Sequence, residues 1–346
     1  MSSREQGNRY LKTTLTKILT SRGVLIGLIL IIIIASIAEP AFMTASNMLN
    51  ILRQVSAIGI VSLGVTFVMM TGGMDLSVGS IVSLCSLVAV SIMNKYGQAP
   101  NSNGAALFAI LAVMVIGLVI GLLNGSIITI LNGRLGETFI VTYSMQIVVA
   151  SVALLYTGGQ FVPGTFGMGL YQRMSMGFAP IICFLSLAAV MHVVLAYTGF
   201  GKQISFIGAN INATRMSGIN VAKLRVITYG ICGICAGLAA IIVTSRVYSA
   251  SPLQGTGYEL DAIAAVMVGG TSQTGGTGGI VDTILGVLVL GVLGNALNIL
   301  GVDANAQLLF RGAIILIAVG LDMWNRIAEQ RGQPNEQGKT KGNRSS

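Results

Sequence analysis

The chain has 346 residues, of which 53% are hydrophobic and only 9% are charged, and its mean hydropathy is +0.82. Soluble domains carry about 25% charged residues, so this composition excludes a soluble globular protein and predicts an all-α, polytopic integral membrane protein. The net charge of +9 does not indicate nucleic-acid binding, because the basic residues crowd the two ends of the chain and no basic patch on a folded face is visible.

The predicted elements begin with a basic tail over residues 1–23, followed by a single transmembrane domain over 24–325. A helix needs about 20 apolar residues to cross a bilayer, and such segments occur near 24–43, 55–72, 77–94, 104–131, 139–157, 177–198, 226–244, 278–300 and 306–325. The apolar segment 260–270 is shorter, which is typical of a re-entrant helix. Including it gives about ten transmembrane helices, and the polar tail 326–346 is expected to be disordered.

The distribution of lysine and arginine predicts the orientation of these helices. With ten crossings, fifteen of the 20 basic residues fall on the side of both termini and four fall on the other side. Cytoplasmic loops carry the excess of basic residues, so both termini are predicted to be cytoplasmic. The alternative is a cleaved signal peptide ending at Ser36-Ile37-Ala38, although the preceding 23 residues are long for such a peptide.

Cysteine and histidine side chains in the spans have a structural and a chemical interpretation. Cys232 and Cys235 have the spacing of a redox or zinc motif, but such a site needs further polar ligands. Two small residues on one helix face are therefore the better interpretation. His192, the only histidine, is interpreted as a hydrogen-bonded side chain or as part of a polar path. No metal site is predicted.

A break in the first half of the chain places polar residues between two spans. Gly72 and Gly73 follow one span, and Asp75 precedes the span that begins at Ser77. A carboxylate is favourable at the N-terminus of a helix, so Asp75 is interpreted either as a cap or as part of a polar path. Asparagines within spans can line a path or bond between helices. The candidate path residues are Asp75, Ser77, Asn124, Asn295 and Asn298.

The longest polar insert between spans, residues 199–225, carries the signals of a short capped helix. Asn210 or Asn212 can cap the N-terminus of a helix through residues 213–216, and Gly218 can end it. A capped short helix at a membrane face is typical of a docking element, the alternative being an ordinary linker. The candidate docking residues are Asn210, Asn212, Ala213, Arg215, Ser217, Gly218, Ile219 and Asn220.

Residues 269–279 read GGTSQTGGTGG, which raises the question of a phosphate-binding loop. A P-loop needs a lysine after its glycines, and no lysine occurs between Lys223 and Lys339. Apolar segments flank the stretch, so it is predicted to be a cytoplasmic turn with close packing between a short and a long membrane helix. The predicted turn or gate residues, here and at the earlier break, are Gly72, Gly73, Gly269, Gly270, Gly275 and Gly276.

Four motifs in order resemble those of the permease subunits of ribose-type ABC importers. Residues 210–220 (NINATRMSGIN) are similar to the coupling loop of that family, and 72–80 (GGMDLSVGS) to a GG-[IM]-DLSVGS signature. Residues 255–265 (GTGYELDAIAA) are similar to GxGYELDAIAA, and the glycines of 269–278 continue the pattern. The resemblance covers residues 24–325. It fails at Asp282, where the family usually has glycine, and at 134–139, where it usually has a proline.

The resemblance implies a permease that is not an enzyme and binds no cofactor. ATP and magnesium are expected on a separate ABC ATPase subunit that docks at 210–220. The other expected partners are an extracytoplasmic sugar-binding protein, a second permease chain of the same sequence and membrane lipid, with no nucleic acid. The implied cargo is a monosaccharide such as ribose or a related polyol, and the implied location is the bacterial cytoplasmic (inner) membrane.

Two other functions are compatible with the residues. An ion-coupled secondary sugar transporter would use carboxylates in the membrane region, such as Asp75, Asp282 and Asp322. A passive channel or a structural subunit would bind no ATPase. Dependence of uptake on ATP rather than on an ion gradient distinguishes the importer from both alternatives.

Overall fold

The computed structural model describes residues 24–99, 102–131, 133, 135–167, 169–303, 305–310, 312–313, 316 and 320. The predicted tails at 1–23 and 326–346, Arg134, Asp322 and part of the predicted last span lie outside these residues.

The described chain is a succession of helices with one very short strand pair. The elements are α1 (Val24–Ala38), a 3-10 turn (Pro40–Met43), α2 (Ala45–Met70), α3 (Val78–Tyr96), α4 (Asn103–Ile130), α5 (Leu135–Thr157), β1 (Val162–Pro163), α6 (Leu170–Arg173), α7 (Ala179–Tyr197), α8 (Gly199–Ala209), α9 (Ile211–Met216), α10 (Val221–Val247), β2 (Ser249–Ala250), α11 (Tyr258–Gly269) and α12 (Ile280–Ile299). β1 and β2 pair in antiparallel register, and residues 305–310 are again helical.

Among the described residues, seven helices are long and apolar enough to cross a membrane, namely α2, α3, α4, α5, α7, α10 and α12. The prediction of an all-α polytopic membrane protein is therefore confirmed. α1 is a shorter apolar helix, and α11 has only 12 residues, as the short segment at 260–270 predicted.

The predicted limit of the second span, at residue 55, is wrong, because α2 begins at Ala45. The sequence there is interrupted by polar residues that receive partners from distant helices. Asn47 exchanges two hydrogen bonds of 2.9 Å with Asn295 of α12. Arg246 of α10 donates a 2.9 Å hydrogen bond to Asn50. Because these amide groups have hydrogen-bond partners in other helices, they can lie in a membrane-spanning helix at low cost, and α2 continues through them.

The polar insert 199–225 is more helical than its sequence predicted. The 11-residue helix α8 was not predicted, and α10 begins at Val221 rather than near residue 226. α8 buries Ile204 and Ile207 on one face, since residues three apart lie on the same side of a helix. At the start of α10, the side chain of Asn220 accepts a 2.9 Å hydrogen bond from the backbone N–H of Lys223 and so caps the helix.

α10 packs along α4 through a row of glycines spaced four residues apart. A Cβ atom on Gly117 would lie 2.1 Å from the backbone oxygen of Gly233, and one on Gly121 would lie 2.2 Å from that of Tyr229. A Cβ atom on Gly125 would lie 2.6 Å from a backbone carbon of α10. Such contacts leave no space for a side chain, and close approach of this kind holds helices together in lipid.

The two cysteines of α10 lie where this helix approaches α2. Both Cys232 and Cys235 are free and buried. A Cβ atom on Gly64 would lie 2.8 Å from the Cα of Cys232 and 2.9 Å from the Cβ of Cys235, so small residues are required on this face. His192 is half-buried, and its ring lies 5.8 Å from that of Tyr197.

Candidate functional site

α9 (Ile211–Met216) is the short capped helix that the sequence predicted. The side chain of Asn210 accepts hydrogen bonds from the backbone N–H groups of Asn212 (3.1 Å) and Ala213 (3.0 Å). Two residues after the helix, Gly218 has a φ angle of +79°, a conformation that favours glycine and ends helices. Local residues at both ends therefore define the length of α9.

The surface of α9 is available for contact with another protein. Thr214 is buried and holds the helix against the domain, whereas Met216 is 89% exposed. Methionine is common at protein-binding surfaces, and the sequence interpretation did not single out this side chain. Of the candidate docking residues, Ile219 is half-buried, and the exposed ones are Asn210, Asn212, Ala213, Arg215, Ser217, Gly218 and Asn220.

The end of α8, directly before α9, contacts both predicted breaks in the membrane helices. A Cβ atom on Gly208 would lie 2.1 Å from the backbone nitrogen of Gly276 and 2.2 Å from the backbone oxygen of Met70. One on Gly275 would lie 2.5 Å from the backbone nitrogen of Gly72 and 2.8 Å from the Cα of Gly208. We call Gly72, Gly208, Gly275 and Gly276 the glycine junction.

The glycine junction is a direct backbone contact between three segments that are distant in sequence. The backbone N–H of Gly276 donates a 3.0 Å hydrogen bond to the backbone oxygen of Met70. Gly275 and Gly276 have φ angles of +89° and +82°, which side chains with a Cβ rarely adopt. The stretch that resembled a phosphate loop is therefore a packed turn beside α8, on the same side of the domain as α9.

The other predicted turn residues lie beside this junction. Gly269 ends α11, and a Cβ atom there would lie 2.1 Å from the backbone oxygen of Asp282 in α12. Gly270 follows with a φ angle of +114°. A Cβ atom on Gly73 would lie 2.7 Å from the hydroxyl oxygen of Tyr229, so this glycine admits a side chain of α10 to the first break.

Three of the five candidate path residues form one buried group. Asp75, Ser77 and Asn124 are all 0% exposed. The carboxylate of Asp75 accepts hydrogen bonds from the backbone nitrogen (3.0 Å) and the hydroxyl group (2.7 Å) of Ser77. The amide of Asn124, from α4, donates a 2.8 Å hydrogen bond to the Ser77 hydroxyl. This group joins the first break to α4.

Asp75 does not occupy the N-cap position of α3, which belongs to Ser77. It instead lies in the non-helical segment between α2 and α3 and binds the residue at which α3 begins.

The backbone of the first break is satisfied by side chains of neighbouring helices. The hydroxyl group of Tyr229 donates a 3.0 Å hydrogen bond to the backbone oxygen of Met74, and Thr142 donates one of 3.4 Å to the same atom. Non-helical backbone is tolerated at membrane depth only where it is buried in protein or lines a cavity. The sequence carried no signal for Tyr229, because its partner lies 155 residues earlier in the chain.

The remaining two candidate path residues lie elsewhere. Asn295 is 3% exposed and pairs with Asn47 across α2 and α12, which is the contact between helices that the sequence left open. Asn298 is exposed near the end of α12. The structure therefore does not bring these asparagines to Asp75.

The position of Asp282 shows why this chain tolerates a carboxylate there. Asp282 lies in the first turn of α12, where the helix dipole favours a negative charge. It is half-buried and lines a cavity of about 390 Å³ together with His192 and Lys202. This carboxylate therefore faces a partly polar cavity rather than lipid.

Comparison with known proteins identifies the family. The family described as branched-chain amino acid transport system / permease component matches residues 47–319. The chain belongs to this permease family. The permease is 42% identical over 312 residues to the ribose import permease protein of Escherichia coli (strain K12), covering 86% of this chain and 92% of the relative.

Other relatives extend this similarity. The permease is 41% identical over 306 residues to the ribose import permease protein of Bacillus subtilis (strain 168), covering 87% and 92% of the two chains. It is 34% identical over 317 residues to the galactose/methyl galactoside import permease protein of Escherichia coli (strain K12), covering 87% and 93%. No solved structure matches the chain significantly. The resemblance to ribose-type permeases is confirmed.

Proposed function

We propose that this permease is the membrane-spanning subunit of an ATP-driven ABC importer in the bacterial cytoplasmic membrane. The proposed cargo is a monosaccharide or a related polyol, as the names of the ribose and galactose relatives suggest. These relatives favour an importer over an ion-coupled secondary transporter. The permease itself is proposed to bind neither ATP nor magnesium, which belong to the ATPase subunit.

The exposed helix α9 and its backbone connection to the glycine junction carry this proposal. α9 offers Ala213 and Met216 to a partner, and Gly208, one residue before the end of α8, lies against the backbone of both breaks. Only Asn210 separates α8 from α9. A partner that displaces α9 must therefore displace Gly208 and press on the two breaks, which makes this surface suited to an ATPase that drives transport.

The remaining partners follow from the same arrangement. A sugar-binding protein is proposed to deliver the cargo to the face opposite α9. A second copy of the permease and membrane lipid are proposed to cover the sides of the domain. The excess of basic residues on the side of both termini supports a cytoplasmic location for these termini and for α9.

Mutation of α9 tests the docking surface. Co-expressed with its ATPase subunit, the Met216→Glu variant is expected to lose the co-purifying ATPase, because it places a charge in an apolar contact. The matched control is Leu253→Glu, since Leu253 is 64% exposed in the segment between β2 and α11, away from α9. Equal recovery of the ATPase with both variants would contradict docking at α9.

Uptake measurements test the energy source. In proteoliposomes containing the permease, its ATPase and its sugar-binding protein, uptake of labelled ribose or galactose is expected to require ATP inside. Collapse of the proton and sodium gradients with ionophores is expected to leave uptake unchanged. Uptake that follows an ion gradient and ignores ATP would support the secondary transporter instead.

A further inference from the structure

A cavity of about 170 Å³ lies between α2, α11 and α12. Its walls include apolar residues of all three helices, but polar side chains from four separate segments also reach it. The polar lining residues are Gln54, Thr256, Tyr258, Asp261 and Gln307. We call this space the α11 cavity.

The α11 cavity lies far from the glycine junction and α9. Gln54 is 16 residues before Met70, the end of α2 at the junction, which corresponds to about 24 Å along a helix. Asp261 is eight residues before Gly269, the end of α11, or about 12 Å. The cavity is therefore in the half of the membrane domain that faces away from the proposed ATPase.

Polar side chains at this depth indicate that the α11 cavity faces water or protein. Gln54 is exposed and lies in the half of the membrane-spanning helix α2 that is remote from Met70. A polar group facing the hydrocarbon region has no hydrogen-bond partners and is costly there. The cavity between α2 and α12 gives the Gln54 amide access to water or to a bound polar molecule.

The sequence of α11 holds two of these side chains in the cavity. Glu259 points away from it, into the domain, where it accepts a 3.2 Å hydrogen bond from Gln146 and lies against Gly79, which leaves no room for a Cβ atom. With this face of α11 fixed, Tyr258 and Asp261, three residues apart, share another face and line the cavity. This arrangement accounts for the Tyr-Glu-Leu-Asp part of the third motif.

The chemistry of the α11 cavity matches a neutral polyhydroxylated molecule. The Asp261 carboxylate can accept hydrogen bonds from hydroxyl groups, and the amides of Gln54 and Gln307 can both donate and accept them. The Tyr258 ring offers an apolar surface to the C–H face of a sugar. Drug-sized ligands occupy about 300–1,000 Å³, so this cavity suits a smaller one.

We propose that the α11 cavity is a monosaccharide-binding subsite of the permease, in which Asp261 and Gln54 bind sugar hydroxyl groups and Tyr258 packs against the ring. This inference rests on the proposed function, because it assigns the place where the delivered sugar first contacts the membrane subunit. Neither Tyr258 nor Asp261 was among the path residues predicted from the sequence.

The first experiment measures uptake with the complete transporter, using D-ribose and D-galactose as probes. Asp261→Asn keeps the shape of the side chain but removes its charge, and it is expected to lower the sugar imported per ATP hydrolysed by about tenfold. The control is Gln160→Ala, since Gln160 is an exposed residue outside the cavity. Equal uptake per ATP by Asp261→Asn and the control would overturn the proposal.

The second experiment detects the sugar without transport. In a Cys183→Ser background, in which the remaining native cysteines are buried, a Thr256→Cys thiol at the edge of the cavity is labelled with a membrane-impermeant maleimide. Millimolar D-ribose or D-galactose is expected to slow this labelling, and to leave a Leu253→Cys control unchanged. Equal labelling of Thr256→Cys with and without either sugar would overturn the subsite. If the wild-type complex imports no sugar, the proposed function fails, and protection of this thiol still reports binding in the cavity.

Discussion

A methyl group at Gly208 tests whether the glycine junction couples α9 to the membrane helices. In Gly208→Ala, the new Cβ would lie 2.1 and 2.2 Å from backbone atoms of Gly276 and Met70, so the segments must separate by more than 1 Å to reach ordinary contact. Overpacking of this kind costs about 1–3 kcal/mol. Loss of the hydrogen bond between Gly276 and Met70 costs about 1 kcal/mol more. We expect the free energy of unfolding to fall by about 2–4 kcal/mol.

The assay must separate coupling from stability. Uptake per ATP hydrolysed and stimulation of the ATPase by the sugar-loaded binding protein are measured in proteoliposomes, and the thermal midpoint is measured in detergent. The Gly208→Ala permease is expected still to bind the ATPase at α9. Its uptake per ATP hydrolysed and the stimulation of the ATPase by the sugar-loaded binding protein are both expected to fall strongly. Gly117→Ala introduces an equally tight contact, 2.1 Å from a backbone oxygen between α4 and α10. It is expected to lower the midpoint while uptake per ATP stays normal.

A second control removes steric effects altogether. Gly199 begins α8, and a Cβ atom there would have no neighbour within 4 Å. Gly199→Ala is expected to change stability by less than about 1 kcal/mol. If Gly208→Ala and Gly199→Ala import the same amount of sugar per ATP, the glycine junction does not transmit movement and the reasoning is refuted.

Three further changes test the contacts that hold the breaks and helices. Tyr229→Phe removes the stronger of the hydrogen bonds to the backbone oxygen of Met74, and a loss of about 1–3 kcal/mol is expected in thermal unfolding. Asn47→Ala and Asn295→Ala remove opposite sides of one pair, so a double-mutant cycle is expected to give a coupling of about 0.5–2 kcal/mol; additive losses would contradict it. Asp75→Asn keeps a side-chain oxygen that can accept the hydrogen bonds from Ser77 at the start of α3. We therefore expect Asp75→Asn to lower the thermal midpoint less than Asp75→Ala does.

The sequence predicted those elements whose causes are local. Apolar length alone is enough to place a transmembrane helix, so most spans agree with the helices to within a few residues. The caps of α9 are also local, because Asn210 and Gly218 act on residues next to them. Family motifs added the expectation that the partner docking on this short helix is an ATPase subunit.

Contacts between distant segments were not predictable in the same way. The extension of α2 depends on Asn47 meeting Asn295, 248 residues later, and nothing near either residue indicates the pairing. Gly72 and Gly275 were predicted as turn residues, but Gly208 was not, because its requirement for glycine arises only where the three segments meet. For the same reason, the sequence indicated no role for Asp261 beyond its place in a family motif. Its position at the cavity depends on the packing of α11 against α2 and α12.

α11 provides a physical connection between the docking surface and the α11 cavity. One end of this 12-residue helix, at Gly269, is packed against α12 and followed by the glycine junction, and the other end carries Tyr258. A helix of this length spans about 18 Å. Glu259, fixed against Gly79, provides a pivot near the cavity end. A displacement of the junction by α8 would therefore tilt α11 about this pivot and change the position of Asp261 relative to Gln54. An ATPase that acts only on α9 can in this way alter a sugar subsite in the opposite half of the membrane domain.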